Sequence, residues 1–498
     1  RAATVFTAAD ETTTVTAFAV DGESFTWVGD AAEIPDGADV VDLGETTVLP
    51  GLLDVHTHAT YIAMTATAVP CTVPGVTDIP SMIAALRRHP AAGRHGWITG
   101  WGYDESRLAE GRTPTRHDLD QVSADQPVHV LRSDCHSGIC NTRALEIAGI
   151  TADTPDPERG RFGRDEDGSP NGVLVEHEAN QMVMRAMGGA GIEADAEELV
   201  RTNRHFLERG LVGVTDLYCV PGEYDHRELF SRAAAGGFLP RLRFYFDFAT
   251  IAEEPVADIV PADLEGRVAL GGIKLFADGA VSNRTAWLRE PYRGSTDEFG
   301  MGTATVSAMR AALEFARGNG LQLAIHAMGD RAVESVIDFF EDVDPWLEHK
   351  GIPSVRLEHA TLLDPELMSR MNRATMHFGV ASNVDFLFAE VDSYAENFTD
   401  DQFRRTYMVK DLYEQIPAAA LSSDCPATVW ADPDDPFMSM QAAVTRRAHD
   451  GRDIVTEQAV TIAQAVLLYT SRAARLVDFP GLGEIKEGNE ASFITLSQ

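Results

Sequence analysis

Six residues in this chain of 498 combine the side-chain chemistry and the setting that a metal centre needs. His56 and His58 stand two apart in GLLDVHTH, where the period of two in a strand turns both imidazoles to one face. Two imidazoles so placed can hold one metal ion. His326 lies in LQLAIHAM, His359 in SVRLEHAT and Asp424 in AAALSSDC, each at the end of an apolar approach. Taken singly, such residues have plainer readings, a hydrogen-bonded core histidine or a helix-capping aspartate. Lys274 is the sixth, inside the apolar run GGIKLFADGA. A buried ammonium must be paired, neutralised or modified, because leaving it charged and alone costs several kcal/mol. Pairing with Asp278 is the plain reading. The alternative is that the neutral amine takes up carbon dioxide, and the resulting carbamate is an anionic bidentate ligand able to bridge two ions.

The elements that would position these six recur along the chain. Eight strand-length apolar runs, at 51–58, 211–218, 241–248, 271–278, 321–328, 354–361, 374–381 and 418–425, are in many cases followed by helix-like segments. That alternation predicts an α/β fold, a (β/α)₈ TIM-type barrel over 50–475 with its chemistry at the C-terminal strand ends. The six residues then fall at the ends of strands one, four, five, six and eight, which chance explains poorly. The first gap is too long for one βα unit, so residues 60–205 are expected to form a large insertion. Short β-runs at 1–49, beginning mid-strand at RAATVFTA, and the β-like tail at 476–498 predict a small composite β-sandwich made from both ends.

Composition narrows the function classes. The formal charge of −36 has no long run of one sign, and it would repel nucleic acid and anionic membranes. Of 41 basic side chains only four are lysine, which with the many Asp and Glu suggests a halophilic source. Five scattered cysteines with no CxxC pair point to free buried thiols rather than a disulfide framework. No run has the length and apolarity of a membrane span, and no leader pattern opens the chain. The expectation is a soluble cytoplasmic protein acting on a small molecule, with a homodimer as the default assembly.

The ordered set PGLLDVHTH, KLFADGA, IHAMGDRAV, RLEHATLL and LSSDCPAT resembles the amidohydrolase superfamily, and specifically its amidohydrolase-3 branch of N-substituted formamide deformylase-like and YtcJ-like proteins, some of them labelled exoenzyme regulators. The likeness extends over nearly the whole chain. It implies that His56, His58 and Asp424 bind one zinc, that His326 and His359 bind a second, and that carboxylated Lys274 bridges them. One ion would also serve in some members, and manganese or iron could replace zinc. Two close divalent ions lower the pKa of a shared water from ~15.7 toward ~7, giving a hydroxide nucleophile for which Asp424 acts as proton shuttle and metal ligand together. Asp330 and Glu358 are expected to support the ligands from behind.

Substrate contacts are expected from the insertion and the barrel loops. His136, in SDCHSGICN, is a catalytic candidate that would bind an oxyanion or acyl group, by likeness to a D-x-H-S motif in relatives. Trp101 and Tyr103 in GWGYDES would wall an apolar pocket, and Arg284 would pair with a substrate carboxylate or tie its own loop to Asp278. The expected activity is hydrolysis of a non-peptide C–N bond in an amide, N-formyl or cyclic amide. A lactonase or phosphotriesterase-like hydrolase on the same centre is the enzymatic alternative, and a catalytically silent metal-binding regulator is the alternative of another class.

Overall fold

The structure, a computed structural model, describes residues 1–65, 68–73, 75–88, 96–157, 160–188, 191–220, 225–253, 258–428 and 434–496. Its centre is a parallel sheet of eight strands: β1 (Leu52–Asp54), β2 (Leu211–Cys219), β3 (Arg241–Asp247), β4 (Val268–Phe276), β5 (Gln322–Ala327), β6 (Val355–His359), β7 (Phe378–Ser382) and β8 (Ala419–Leu421). Each strand pairs with its neighbour in chain order, β1 beside β2 and onward to β8. All eight predicted runs are therefore strands of one sheet. Residues of β5 through β8 are buried on both faces, as an all-parallel sheet covered by helices requires, so these runs lack the polar alternation of a half-exposed strand.

The first and last strands meet through side chains and loop backbone rather than a ladder. The Asp424 N–H donates to the His56 carbonyl at 2.7 Å and the His58 N–H to the Cys425 carbonyl at 3.0 Å. Asp54 fastens the same seam from below. Its carboxylate accepts from the Ser423 hydroxyl at 2.5 Å and from the His56 N–H at 3.2 Å. Burial pushes this carboxyl up to about 7.

Strands from both chain ends share one small sheet, in the order Thr14–Val15, Thr4–Phe6, Thr47–Pro50, Phe493–Leu496, with a hairpin of Ala17–Asp21 and Ser24–Gly29 beside it. Between β1 and β2 a separate six-stranded sheet forms, in the order 161–164, 170–175, 138–140, 128–132, 98–103, 69–70, and it has apolar clusters of its own. Leu131 and Cys135 pack it into the barrel's main apolar core, and polar contacts join it there too. Arg132 reaches Asp134 at 2.9 Å and Ser282 at 3.3 Å, and Asp134 accepts from the Asn283 side chain at 2.7 Å. All five cysteines are buried and free. Among the described residues no helix is long and apolar enough to cross a membrane.

Candidate metal centre and substrate cavity

The strand ends deliver the six predicted ligands to one buried spot. His56, His58, Lys274, His326, His359 and Asp424 all line a single inner pocket at the C-terminal end of the barrel. His56 and His58 arrive there differently than expected: β1 ends at Asp54, so both lie in the turn beyond it, held by the seam hydrogen bonds rather than by strand alternation. Both approach Asp424, with Nε2 to Oδ1 distances of 3.1 Å and 2.8 Å. His359 (φ 69°) and Asp424 (φ 55°) sit in the left-handed region. That conformation costs L-residues on the order of 1–3 kcal/mol, which the surrounding structure must offset to turn these side chains inward.

Each of three imidazoles has an acceptor behind it. His359 Nδ1 donates to Asn383 Oδ1 at 3.0 Å and His326 Nε2 to the Gly279 carbonyl at 3.1 Å, while His56 Nδ1 lies 2.7 Å from Glu358 Oε2 in a close contact without hydrogen-bond geometry. In His326 and His359, with one nitrogen protonated by that bond, the other carries the lone pair a metal needs. Burial depresses His326 and His359 well below the ordinary histidine range, which keeps both rings neutral. Glu358 is held in turn by Arg356, at 2.5 and 2.7 Å. Burial pushes the Glu358 carboxyl up, but Arg356 and His56 outweigh it and bring it to about 2. Asp330 does no such work. It accepts from the Arg289 N–H at 2.9 Å and pairs with Arg405 at 3.1 Å, which fastens the start of the helix after β5.

Lys274 is 1 % exposed, with its Nζ 3.4 Å from His56 Nε2. Burial pulls its ammonium down to about 8, against the opposing pull of Glu358 and Asp424. The plain pairing with Asp278 does not occur. Asp278 accepts instead from the backbone N–H groups of Trp287, Met328 and Gly329. Four imidazoles, a carboxylate and an amine of easily lost proton fit a borderline divalent ion such as zinc. Potential ligand atoms of His56, His359 and Asp424 lie within 4.8 Å of one another. That trio cuts across the expected division, in which His56 and Asp424 served one ion and His359 the other.

Comparison with known proteins places this geometry. The sequence pattern of the amidohydrolase family matches residues 39–498. The chain belongs to the amidohydrolase family. It is 28% identical over 497 residues to an N-substituted formamide deformylase of Arthrobacter pascens, covering 96% of this chain and 89% of that one. YtcJ of Bacillus subtilis is 28% identical over 465 residues, with 92% and 85% covered. A solved structure from Pyrococcus horikoshii, described as an uncharacterized metal-dependent hydrolase, superposes with a TM-score of 0.78 at 24% identity over 100% of this chain and 96% of that one, which shows a shared fold.

In this amidohydrolase the insertion supplies the far wall of the inner pocket. His136 is brought to the ligands, its ring centroid 5.6 Å from that of His326. Asp134 shapes the loop by accepting from the N–H groups of His136 and Ser137, both at 3.0 Å. His136 Nδ1 is held by Glu176 Oε2 at 3.1 Å, and Glu176 Oε1 accepts from the Thr285 hydroxyl, also at 3.1 Å. Burial draws His136 down, but Glu176 outweighs it and the ring is left easier to protonate than usual. Glu176 has φ 66°, and the next residue, His177, lies tilted against His136 at 4.1 Å and against Tyr218 at 4.5 Å between ring centroids.

Glu176, His177, Tyr218 and Phe276 were not singled out from the sequence. A signal for two of them was present: VLVEHEAN carries Glu-His at the end of an apolar run, as VRLEHAT does at Glu358 and His359. The other expected substrate contacts lie elsewhere. Tyr103 is 1 % exposed within the core of the insertion, because its strand turns the ring toward the insertion's own helices. Trp101 lines a separate cavity with His205 and Asp434. Arg284 is spent on its own loop, bonding Glu298 at 2.8 Å, Asn397 at 3.0 Å and the Arg293 carbonyl at 2.6 Å, and it reaches neither Asp278 nor the cavity.

Proposed function

We propose that this amidohydrolase is a metal-dependent hydrolase of a non-peptide carbon–nitrogen bond in an amide, N-formyl or cyclic amide. The observation that carries the reading is the convergence of four imidazoles, Asp424 and a buried Lys274, which has no carboxylate partner among the described residues, on one pocket. The 28% identity to an N-substituted formamide deformylase supports the choice of bond. His56, His58, His326, His359, Asp424 and Lys274 would hold one or two zinc ions, with Lys274 as a carbamate where two are bound. A divalent ion in that position acidifies a bound water and polarises the substrate carbonyl.

The protein's own groups do the rest. Asp424 accepts a proton from the attacking water and passes it to the departing nitrogen, so that the C–N bond breaks as the new C–O bond forms and acid plus amine are released. Its two close histidine neighbours hold the carboxyl well below the ordinary range despite burial, so it enters the cycle as a base. His136, fixed through Nδ1 by Glu176, offers Nε2 to the substrate's polar atoms. Lys274 reacts with carbon dioxide only as the free amine, which its depressed pKa makes available near neutral pH.

The test is a screen of N-formyl and N-acyl amines with the zinc- or manganese-loaded protein, alongside metal analysis. Turnover of at least one amide class with one to two metal equivalents is the expected result. Less than one equivalent after careful loading would remove the binuclear arrangement.

A further inference from the structure

Asp385 departs from the other buried carboxylates. It stands in the first turn of helix Val384–Ala389, directly after β7, and is 0 % exposed. Asp54, Asp278 and Glu358 are as deeply buried, and each accepts two or more hydrogen bonds. Neither oxygen of Asp385 has a hydrogen-bond partner among the described residues. Burial pushes its carboxyl well above the ordinary range; its own backbone N–H opposes this, and the charges of Asp54, Asp424 and Glu390 add to the rise. A lone carboxylate in such a place is costly, so it calls for a counter-charge or a proton.

Three hydroxyls in the same layer are orphaned as well. Ser382, at the end of β7, Ser439 and Tyr469 are all buried, and none of their side-chain oxygens has a hydrogen-bond partner among the described residues. Ser439 lies on helix Pro436–Thr445, which packs against the helix that carries Asp385. Tyr469 closes the group from the side of β1, its carbonyl accepting from the Leu53 N–H at 2.8 Å. Burial pushes the Tyr469 hydroxyl up, the charges of Asp54 and Asp385 push the same way, and the adjacent Ser439 hydroxyl opposes them. Ser439 and Tyr469 thus stand side by side without hydrogen-bond geometry, and the Asp385 charge bears on Tyr469.

Two carboxylate oxygens and three hydroxyls, all buried and all unsatisfied, point to a shared ligand. Hydroxyls gathered around an acceptor turn their hydrogens toward it, whereas hydroxyls gathered around a cation turn their lone pairs inward and make no bonds to one another. The second pattern is the one seen. A donor set of oxygen alone, with no nitrogen or sulfur, suits a hard cation. Calcium gathers several carboxylates, and magnesium keeps several waters. Here a single carboxylate is unengaged, because Asp54 is already bound to the Ser423 hydroxyl and the His56 N–H. One negative charge among neutral oxygens matches one positive charge.

We infer that Asp385, Ser382, Ser439 and Tyr469 hold one alkali-metal cation, sodium or potassium, between β7, helix Pro436–Thr445 and the residue behind β1. The site does not depend on which bond the protein hydrolyses. Its ion offsets the mutual repulsion of Asp385, Asp54 and Asp424, and it ties the last barrel units to the first from behind the seam.

The experiment is thermal unfolding of the full chain, at fixed divalent-metal content and equal ionic strength, in potassium, sodium and tetramethylammonium chloride. Tetramethylammonium is too bulky to share five buried oxygens, so it controls for ionic strength. The expected result is a midpoint at least about 3 °C higher in one alkali salt, rising to a plateau with its concentration. Whichever of the two gives the larger gain is the ion held. Asp385→Asn keeps the shape and removes the charge; it should abolish the gain and unfold no earlier than the parent in tetramethylammonium. Tyr469→Phe removes one oxygen and should at least halve the gain, and it decides the matter if Asp385→Asn fails to fold. Equal midpoints in all three salts would overturn the site in favour of a protonated or water-bound carboxyl. A gain that persists undiminished in either variant would overturn it too, since the ion would then bind elsewhere.

Discussion

The barrel and the insertion contribute to the same pocket by different physical routes. In the barrel, the ligands sit on or just beyond parallel strands whose register is set by continuous ladders: Lys274 lies opposite Ala324, and His326 opposite Glu358. A ladder leaves little choice about where such a side chain goes. In the insertion, His136 and His177 come from a loop and a helix start whose placement depends on one carboxylate, Asp134, and on a left-handed Glu176. The candidate ligands are thus built on rigid elements while His136 and His177 are built on a tethered module, so the two should fail differently when disturbed.

The largest expected effect is at the seam of the barrel. Asp424→Asn should lower kcat by about 10²–10⁴-fold, the span of a lost proton-transfer group, in protein whose metal content is checked by elemental analysis. If the rate survives with metal bound, Asp424 is not the shuttle.

Lys274 gives the next. The unfolded chain keeps this proton to about 10.5, whereas the folded, metal-free protein releases it near 8. In the window between, the unfolded state binds more protons, so stability should rise with pH, by on the order of 3 kcal/mol in total. Thermal unfolding of the metal-free protein across that window checks the sign, and Lys274→Met should flatten the slope. Carbamate formation should follow the same titration, seen as a ¹³C signal that grows from pH 7 to 9 under labelled bicarbonate.

Smaller effects separate the two regions directly. Glu358→Gln should weaken metal binding about 10- to 100-fold in chelator competition, through a loosened His56. Glu176→Gln should leave metal binding unchanged and cost about tenfold in kcat/KM, because it acts on His136. A Glu176 variant that also lost metal would erase the distinction. At the bottom of the scale, Tyr103→Phe should leave KM within about twofold, since that ring packs inside the insertion.

The six candidate ligands were legible because each stands at or just past the end of an apolar run of strand length, and chain order fixes which strand follows which. The reason given for His56 and His58 failed in its detail: strand alternation stops at Asp54, and the seam with Asp424 and Cys425 turns both rings inward. Trp101 and Tyr103 misled because an aromatic in a polar setting reads alike whether it faces a cavity or a small core. Arg284 misled because its partners, Glu298 and Asn397, are 14 and 113 residues away.

By itself, the sequence determined the eight strands, the composite sheet's raw material and the kinds of donor that meet at the strand ends. These follow from local periodicity and from the cost of burying charge. Only the tertiary structure decided that Glu176 and His177 enter the site and that Glu358 rather than Asp330 supports a ligand. Those facts depend on where an inserted module docks. Docking is set by contacts such as Arg132 to Ser282, 150 residues apart, for which a linear pattern carries no register.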